Sequence, residues 1–252
     1  MLYFKINLSL LMSLVLYMIG FSLLTSFYLY PMNISHNEKS IQPIIEQIKR
    51  ATQAPKKVPP FVAIAGGSAV GKSYFADILK KLLKKDEINA KILKGDDFLN
   101  PDHFDSEHFH PRLEYKLMHL FIQQIKEGKQ LVRKPAWDLE LMPPAKIEEE
   151  FSIKDVDIVL FEGEFTLCDD EPYDFSKYSE FGIFLDANDE DIVEWNWQRK
   201  RDVEEGETRE AFVAKIKPGL KKYRSYIQSS MHKIPRFLVL QDRHHQYKIS
   251  NF

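Results

Sequence analysis

Residues 66–73 read Gly-Gly-Ser-Ala-Val-Gly-Lys-Ser, a match to G-x-x-x-x-G-K-[S/T], and no other stretch restricts the fold of this chain so tightly. The pattern has physical meaning only between a strand and a helix. The strand is present as Phe61-Val62-Ala63-Ile64-Ala65, an apolar run without alternation, as expected of a strand covered on both faces. The helix follows, with Phe75, Ile78, Leu79, Leu82 and Leu83 at i, i+3, i+4, i+7 and i+8. In such a loop Gly66, Gly67, Ser68, Ala69, Val70 and Gly71 turn backbone N–H groups toward phosphate oxygens, and the helix amino terminus adds about half a positive charge. Lys72 is placed to reach the β- and γ-phosphates of a nucleotide, and Ser73 to hold Mg²⁺ through its hydroxyl.

Further short apolar runs follow at 90–93, 156–161, 181–185 and 237–240, separated by helix-like segments at 111–127, 189–205 and 208–228. Strands alternating with helices predict an α/β domain with a doubly wound, mainly parallel sheet flanked by helices. We expect this domain to run from 61 to 252. Residues 33–60 read as a polar linker, with one short helix carrying Ile41, Ile44, Ile45 and Ile48 before Pro59-Pro60.

The amino end differs from the rest. No residue from Ile6 to Ser35 is charged, and Leu8–Tyr30 is almost wholly apolar. About 23 helical residues reach roughly 35 Å, enough to cross a hydrocarbon layer of about 30 Å, so residues 1–32 are expected to form a transmembrane anchor. Lys39, Lys49, Arg50, Lys56 and Lys57 beyond it place the body on the cytoplasmic side of a membrane. A cleaved signal peptide fits less well, because the run exceeds an h-region of about 7–15 residues and lacks an A-x-A-like site. Translation from Met32 is the alternative, which makes the protein cytoplasmic without an anchor.

Lys plus Arg number 35 and Asp plus Glu 37, a net charge of −2, so no overall field draws the chain onto nucleic acid. Any polyanion must be held by a local site. The single Cys168 forms no internal disulfide and no CxxC exists for zinc. His103, His108 and His110 share a segment but lack tetrahedral-site spacing.

Six short motifs in register resemble the phosphoribulokinase/uridine kinase family of P-loop small-molecule kinases over roughly Phe61 to Gln241. After the loop come Gly95-Asp96-Asp97-Phe98-Leu99, His103-Phe104-Asp105, Lys134-Pro135-Ala136-Trp137-Asp138, Phe161-Glu162-Gly163, Arg201-Asp202 and Ile216-Lys217-Pro218. The resemblance implies a nucleoside-kinase-like P-loop fold and an ATP- and Mg²⁺-dependent transfer of a phosphoryl group to the hydroxyl of a small-molecule acceptor. It implies Asp96 as the carboxylate that receives or orients the acceptor's proton, Glu162 as a Mg²⁺ partner beside Ser73 and Asp96, and Arg201 with Arg199 as lid cations over the phosphates. Asp105, Trp137 and Phe98 fall on the acceptor side. Trp137 stands where nucleoside members carry tyrosine, the base-contacting histidine is missing near Met142, and Glu205-Gly206-Glu207-Thr208-Arg209 replaces the glycine-flanked arginine pair of the lid. These departures argue against uridine, and Gly-Asp-Asp-Phe-Leu resembles the Asp-Gly-Phe-Leu of the pantothenate-kinase branch. A membrane-tethered nucleotide-binding module without transfer activity is the rival reading. A GTPase is disfavoured, since no N-K-x-D-like element follows the fourth strand.

Overall fold

The structure, a computed structural model, describes residues 34–53, 56–100, 113–138, 145–201, 208–229 and 236–251. The apolar segment 1–32 and its expected membrane helix lie outside the described residues, among which no helix is long and apolar enough to cross a membrane.

Strand β1 (Phe61–Gly66) is buried at all positions and forms the middle of a six-stranded sheet. Its neighbours are β5 (Ile158–Glu162) on one side and β6 (Phe181–Asp186) on the other, both parallel to it. β2 (Ala90–Lys94) extends the sheet beyond β5 and β7 (Arg236–Gln241) beyond β6, again in parallel. The antiparallel β8 (Tyr247–Asn251) closes that edge, giving the order β2-β5-β1-β6-β7-β8. The doubly wound α/β expectation is met in this sheet.

Strand periodicity divides the interior into two cores. Phe61, Ala63 and Ala65 of β1 join Val159 and Phe161 of β5 on one face, whereas Val62 and Ile64 join Ile158 and Leu160 on the other. The second face is covered by α3 (Lys72–Lys85), whose Phe75, Ile78, Leu79, Leu82 and Leu83 are buried as their spacing predicts. The first is covered by α4 (Tyr115–Lys126) through Met118, Phe121, Ile122 and Ile125. Two further helices, α5 (Asp189–Arg201) and α6 (Arg209–Ser229), follow β6.

The expected polar linker over 33–60 is different in the structure. Residues 34–52 form two helices, α1 (Ile34–Ser40) and α2 (Gln42–Thr52), and the isoleucines at 41, 44, 45 and 48 are at most 3% exposed in the same core as α3. Four isoleucines on one stripe need cover, and the α3 face of the sheet supplies it. Asn37 fixes the arrangement. Its Nδ2 donates to His245 O at 3.0 Å and its Oδ1 accepts from Tyr247 N at 3.1 Å, at the turn between β7 and β8.

An element not expected from sequence is the antiparallel hairpin β3 (Leu131–Asp138) and β4 (Ala145–Ser152), which packs Val132 and Phe151 against α4.

Candidate active site

The carboxyl ends of β2, β5 and β1 lie side by side, because Glu162 is in register with Lys94 on one strand and Ile64 on the next. Open α/β sheets bind ligands at this edge. The loop leaving β1 turns too sharply at Gly66 for any other residue: a Cβ there would lie 2.5 Å from Leu185 O and 2.8 Å from Val70 Cγ2. Ala69 and Gly71 take left-handed conformations, and α3 starts directly at Lys72. The Lys72 ammonium is buried beneath the loop and donates to Gly67 O at 2.9 Å. The Lys72 ammonium and the loop backbone are thus held together at the start of α3.

Ser73 follows, donating from Oγ to Glu162 Oε1 at 2.9 Å. Glu162 is 2% exposed, and burial pushes its carboxyl above the ordinary range, opposed by the Lys72 charge and the Ser73 hydrogen bond; the negative charge of Asp96 pushes it up further. Gly95 lets the neighbouring strand ends approach, since a Cβ there would lie 3.3 Å from Glu162 O. That approach brings the short 3₁₀ turn Gly95–Phe98 against Glu162, with Asp96 exposed on it.

Asp96, Ser68, Gly163, Thr166 and Met118 line a cavity of about 200 Å³. Ser68 also touches Asn196 of α5, at 3.4 Å. Beyond it lies a cleft of about 1030 Å³ between α5, α6 and the β7–β8 turn, lined by Trp195, His245, Arg209, Lys217, Arg224 and Arg243 among others. The indole and imidazole of Trp195 and His245 stack at 4.8 Å, and Gln241, bonded to His245, lies beside Gly71. The phosphate loop therefore has a polar cavity on one flank and a larger cleft with aromatic rings on the other.

The oxygen donors Ser73, Glu162 and Asp96 suit a hard cation such as Mg²⁺, which keeps several waters and takes phosphate oxygens. A buried carboxylate bonded to the Ser73 hydroxyl and only partly balanced by the Lys72 charge fits a site that receives more positive charge. Among the described residues no three His, Cys, Asp or Glu side chains form a metal cage, so such an ion would depend on the nucleotide and on water.

Phe98, expected on the acceptor side, is instead part of the core. It is fully buried and packs on Phe121 at 5.5 Å, because the 3₁₀ turn directs it under the sheet edge toward α4. Trp137 is half-buried, on the strand face opposite Lys134 and Ala136, and outside the lining of the Asp96 cavity. Asp105 and the three nearby histidines lie outside the described residues, as do the side chains of Arg199 and Arg201; α5 ends at Arg201. Arg209 pairs with Glu194 at 3.0 Å. Sequence reasoning did not find Lys134, Asn196 or the Trp195–His245 pair, whose partners are distant along the chain.

The phosphoribulokinase/uridine kinase family model matches residues 61–236. The chain belongs to this family. Among its relatives is a pantothenate kinase of Bacillus velezensis, 32% identical over 162 residues that cover 58% of this chain and 50% of that protein. A pantothenate kinase of Corynebacterium aurimucosum is 28% identical over 166 residues, covering 60% of this chain and 53% of the other. The chain thus spans about half the length of the curated relatives it matches. In fold it is similar to D-glycerate 3-kinase from Cryptococcus neoformans, with a TM-score of 0.63 at 12% identity over 85% of this chain and 98% of that one.

Proposed function

We propose that this protein is an ATP-dependent kinase that moves the γ-phosphoryl group of ATP to a hydroxyl of a small metabolite. The observation that carries this reading is the grouping of a buried Lys72 and a buried Glu162, the latter bonded to the Ser73 hydroxyl, at the strand ends beside the Asp96-lined polar cavity. Lys72 and the loop N–H groups hold the β- and γ-phosphates, and the nucleotide base extends toward the Trp195–His245 cleft. Mg²⁺, held by Ser73 and the neighbouring carboxylates, neutralises phosphate charge when bound. The acceptor oxygen forms the new bond to the γ-phosphorus as the bond to the β-phosphate oxygen breaks, ADP leaves, and the hydroxyl proton passes to the Asp96 carboxylate. The relatives named pantothenate kinase favour a small hydroxy acid over a nucleoside as acceptor.

Acceptor-dependent ADP release should be measured with ATP and Mg²⁺ across pantothenate, glycerate, sugar phosphates and nucleosides. Turnover with at least one acceptor, lost by roughly 10²- to 10⁴-fold in Asp96→Asn while ATP binding persists, is the expected result. ATP binding with no acceptor-dependent turnover would instead support the inactive binding module. The apolar segment 1–32 supports attachment to a membrane with the domain on its cytoplasmic side, and recovery of the native protein entirely in the soluble fraction would rule that out.

A further inference from the structure

Next to Asp96 stands a second aspartate, and its partner is a lysine that the phosphate chemistry does not use. Alternation along β3 turns Val132, Lys134 and Ala136 inward. Lys134 is 4% exposed, and its Nζ donates to Asp97 Oδ2 at 2.7 Å, to Glu149 Oε2 at 2.9 Å and to Pro135 O at 3.3 Å. Glu149 lies directly across the β3–β4 ladder, whereas Asp97 belongs to the 3₁₀ turn at the end of β2. One buried cation therefore joins the hairpin to the turn. Arg133, which meets Glu148 at 3.4 Å on the outer face, is exposed and makes a contact of a kind that contributes little.

A buried ion pair is a poor device for stability alone, because a well-packed apolar side chain in its place is often equally stabilising. What the pair fixes is direction. On a 3₁₀ turn successive side chains diverge by about 120°. With Asp97 held toward the hairpin, Asp96 is directed to the cavity that it shares with Ser68, Gly163 and Thr166.

We propose that Lys134 is a positioning residue for phosphoryl transfer: by gripping Asp97 and Glu149 it sets the turn that aims Asp96, and it docks the Trp137-bearing hairpin onto that turn. This rests on the kinase reading above. The test uses the full chain with ATP, Mg²⁺ and the panel acceptor that gives the fastest turnover. Lys134→Met and Asp97→Asn are each expected to lower kcat roughly 10- to 100-fold per folded molecule with ATP affinity unchanged. The double variant should be no slower than the slower single variant, since both changes cut the same link. Lys134→Arg, which restores a donor to both carboxylates, should recover part of the loss. Wild-type kcat in Lys134→Met or Asp97→Asn, additive losses in the double variant, or ATP affinity falling in step with kcat would each overturn the proposal. If Lys134→Met does not fold, Asp97→Asn decides by the same criteria. A wild-type chain without acceptor-dependent ADP release would remove the kinase reading and this inference with it; wild-type turnover beside unaffected variants would remove this inference alone.

Discussion

Glu162 is the residue at which stability and chemistry oppose each other. Its carboxyl titrates above the ordinary value of 4.5 in the folded protein, chiefly because it is buried, so the native state holds that proton more tightly than the unfolded chain does. The sign follows: the contribution to stability is greatest while Glu162 is protonated, falls as pH rises from about 4.5 through the raised folded value, and is level above it. Glu162→Gln removes this fall. Thermal unfolding without Mg²⁺ or nucleotide should show the variant gaining on the wild type as pH rises from about 4 to 8, by an amount on the order of a few °C. Its Mg²⁺-dependent turnover should drop roughly 10- to 100-fold. A variant that is no more stable at neutral pH would show that Lys72 and Ser73 fully offset the burial.

At the scale of elements, α2 is structural and not a spacer. Ile48→Ala on its buried stripe should cost about 2–5 kcal/mol in urea unfolding, comparable to truncating a leucine in α3. A variant within about 0.5 kcal/mol of wild type would mean that α2 is not part of the cooperative unit. Reading these isoleucines as a linker helix had a physical cause: their stripe is followed by Pro59-Pro60, and sequence alone does not show which surface covers them. The parallel strands were legible because a strand covered on both faces is apolar at successive positions, as in Phe61–Gly66. The hairpin was not. β4 contains Glu148-Glu149-Glu150, three exposed residues, and β3 is interrupted by Pro135, so its strand signal rests on a few positions such as Val132 and Phe151. At the site, Lys72, Ser73 and Glu162 could be read from motifs, and Ser73 bonds Glu162 while Lys72 bonds Gly67 O, whereas Lys134 finds Asp97 across 37 positions and no local pattern announces the pair. Phe98 sat within a readable motif, yet its neighbours Asp96 and Asp97 face polar partners while it faces the core.

For the whole molecule, the sheet places the loop after β1 between the Asp96 cavity and the Trp195–His245 cleft, so a nucleotide bound there bridges elements from both halves of the chain. Ligand that binds only the folded state stabilises it by mass action, about 2.7 kcal/mol at a hundredfold excess over Kd. For a chain of this size Mg²⁺-ATP at that excess should raise Tm by roughly 5–10 °C, and Lys72→Ala should abolish most of the shift. An equal shift in both proteins would place the nucleotide elsewhere. The contact made by Asn37 has a mechanical meaning. Its amide holds the turn after β7, and that turn carries the His245 bonded to Gln241 beside Gly71. The amino-terminal helix α1 is therefore tied both, through the adjoining Ile41, to the core on the α3 face and to the turn that, through His245 and Gln241, lies beside Gly71, so a displacement of α1 would disturb the surroundings of the phosphate loop as well as the sheet.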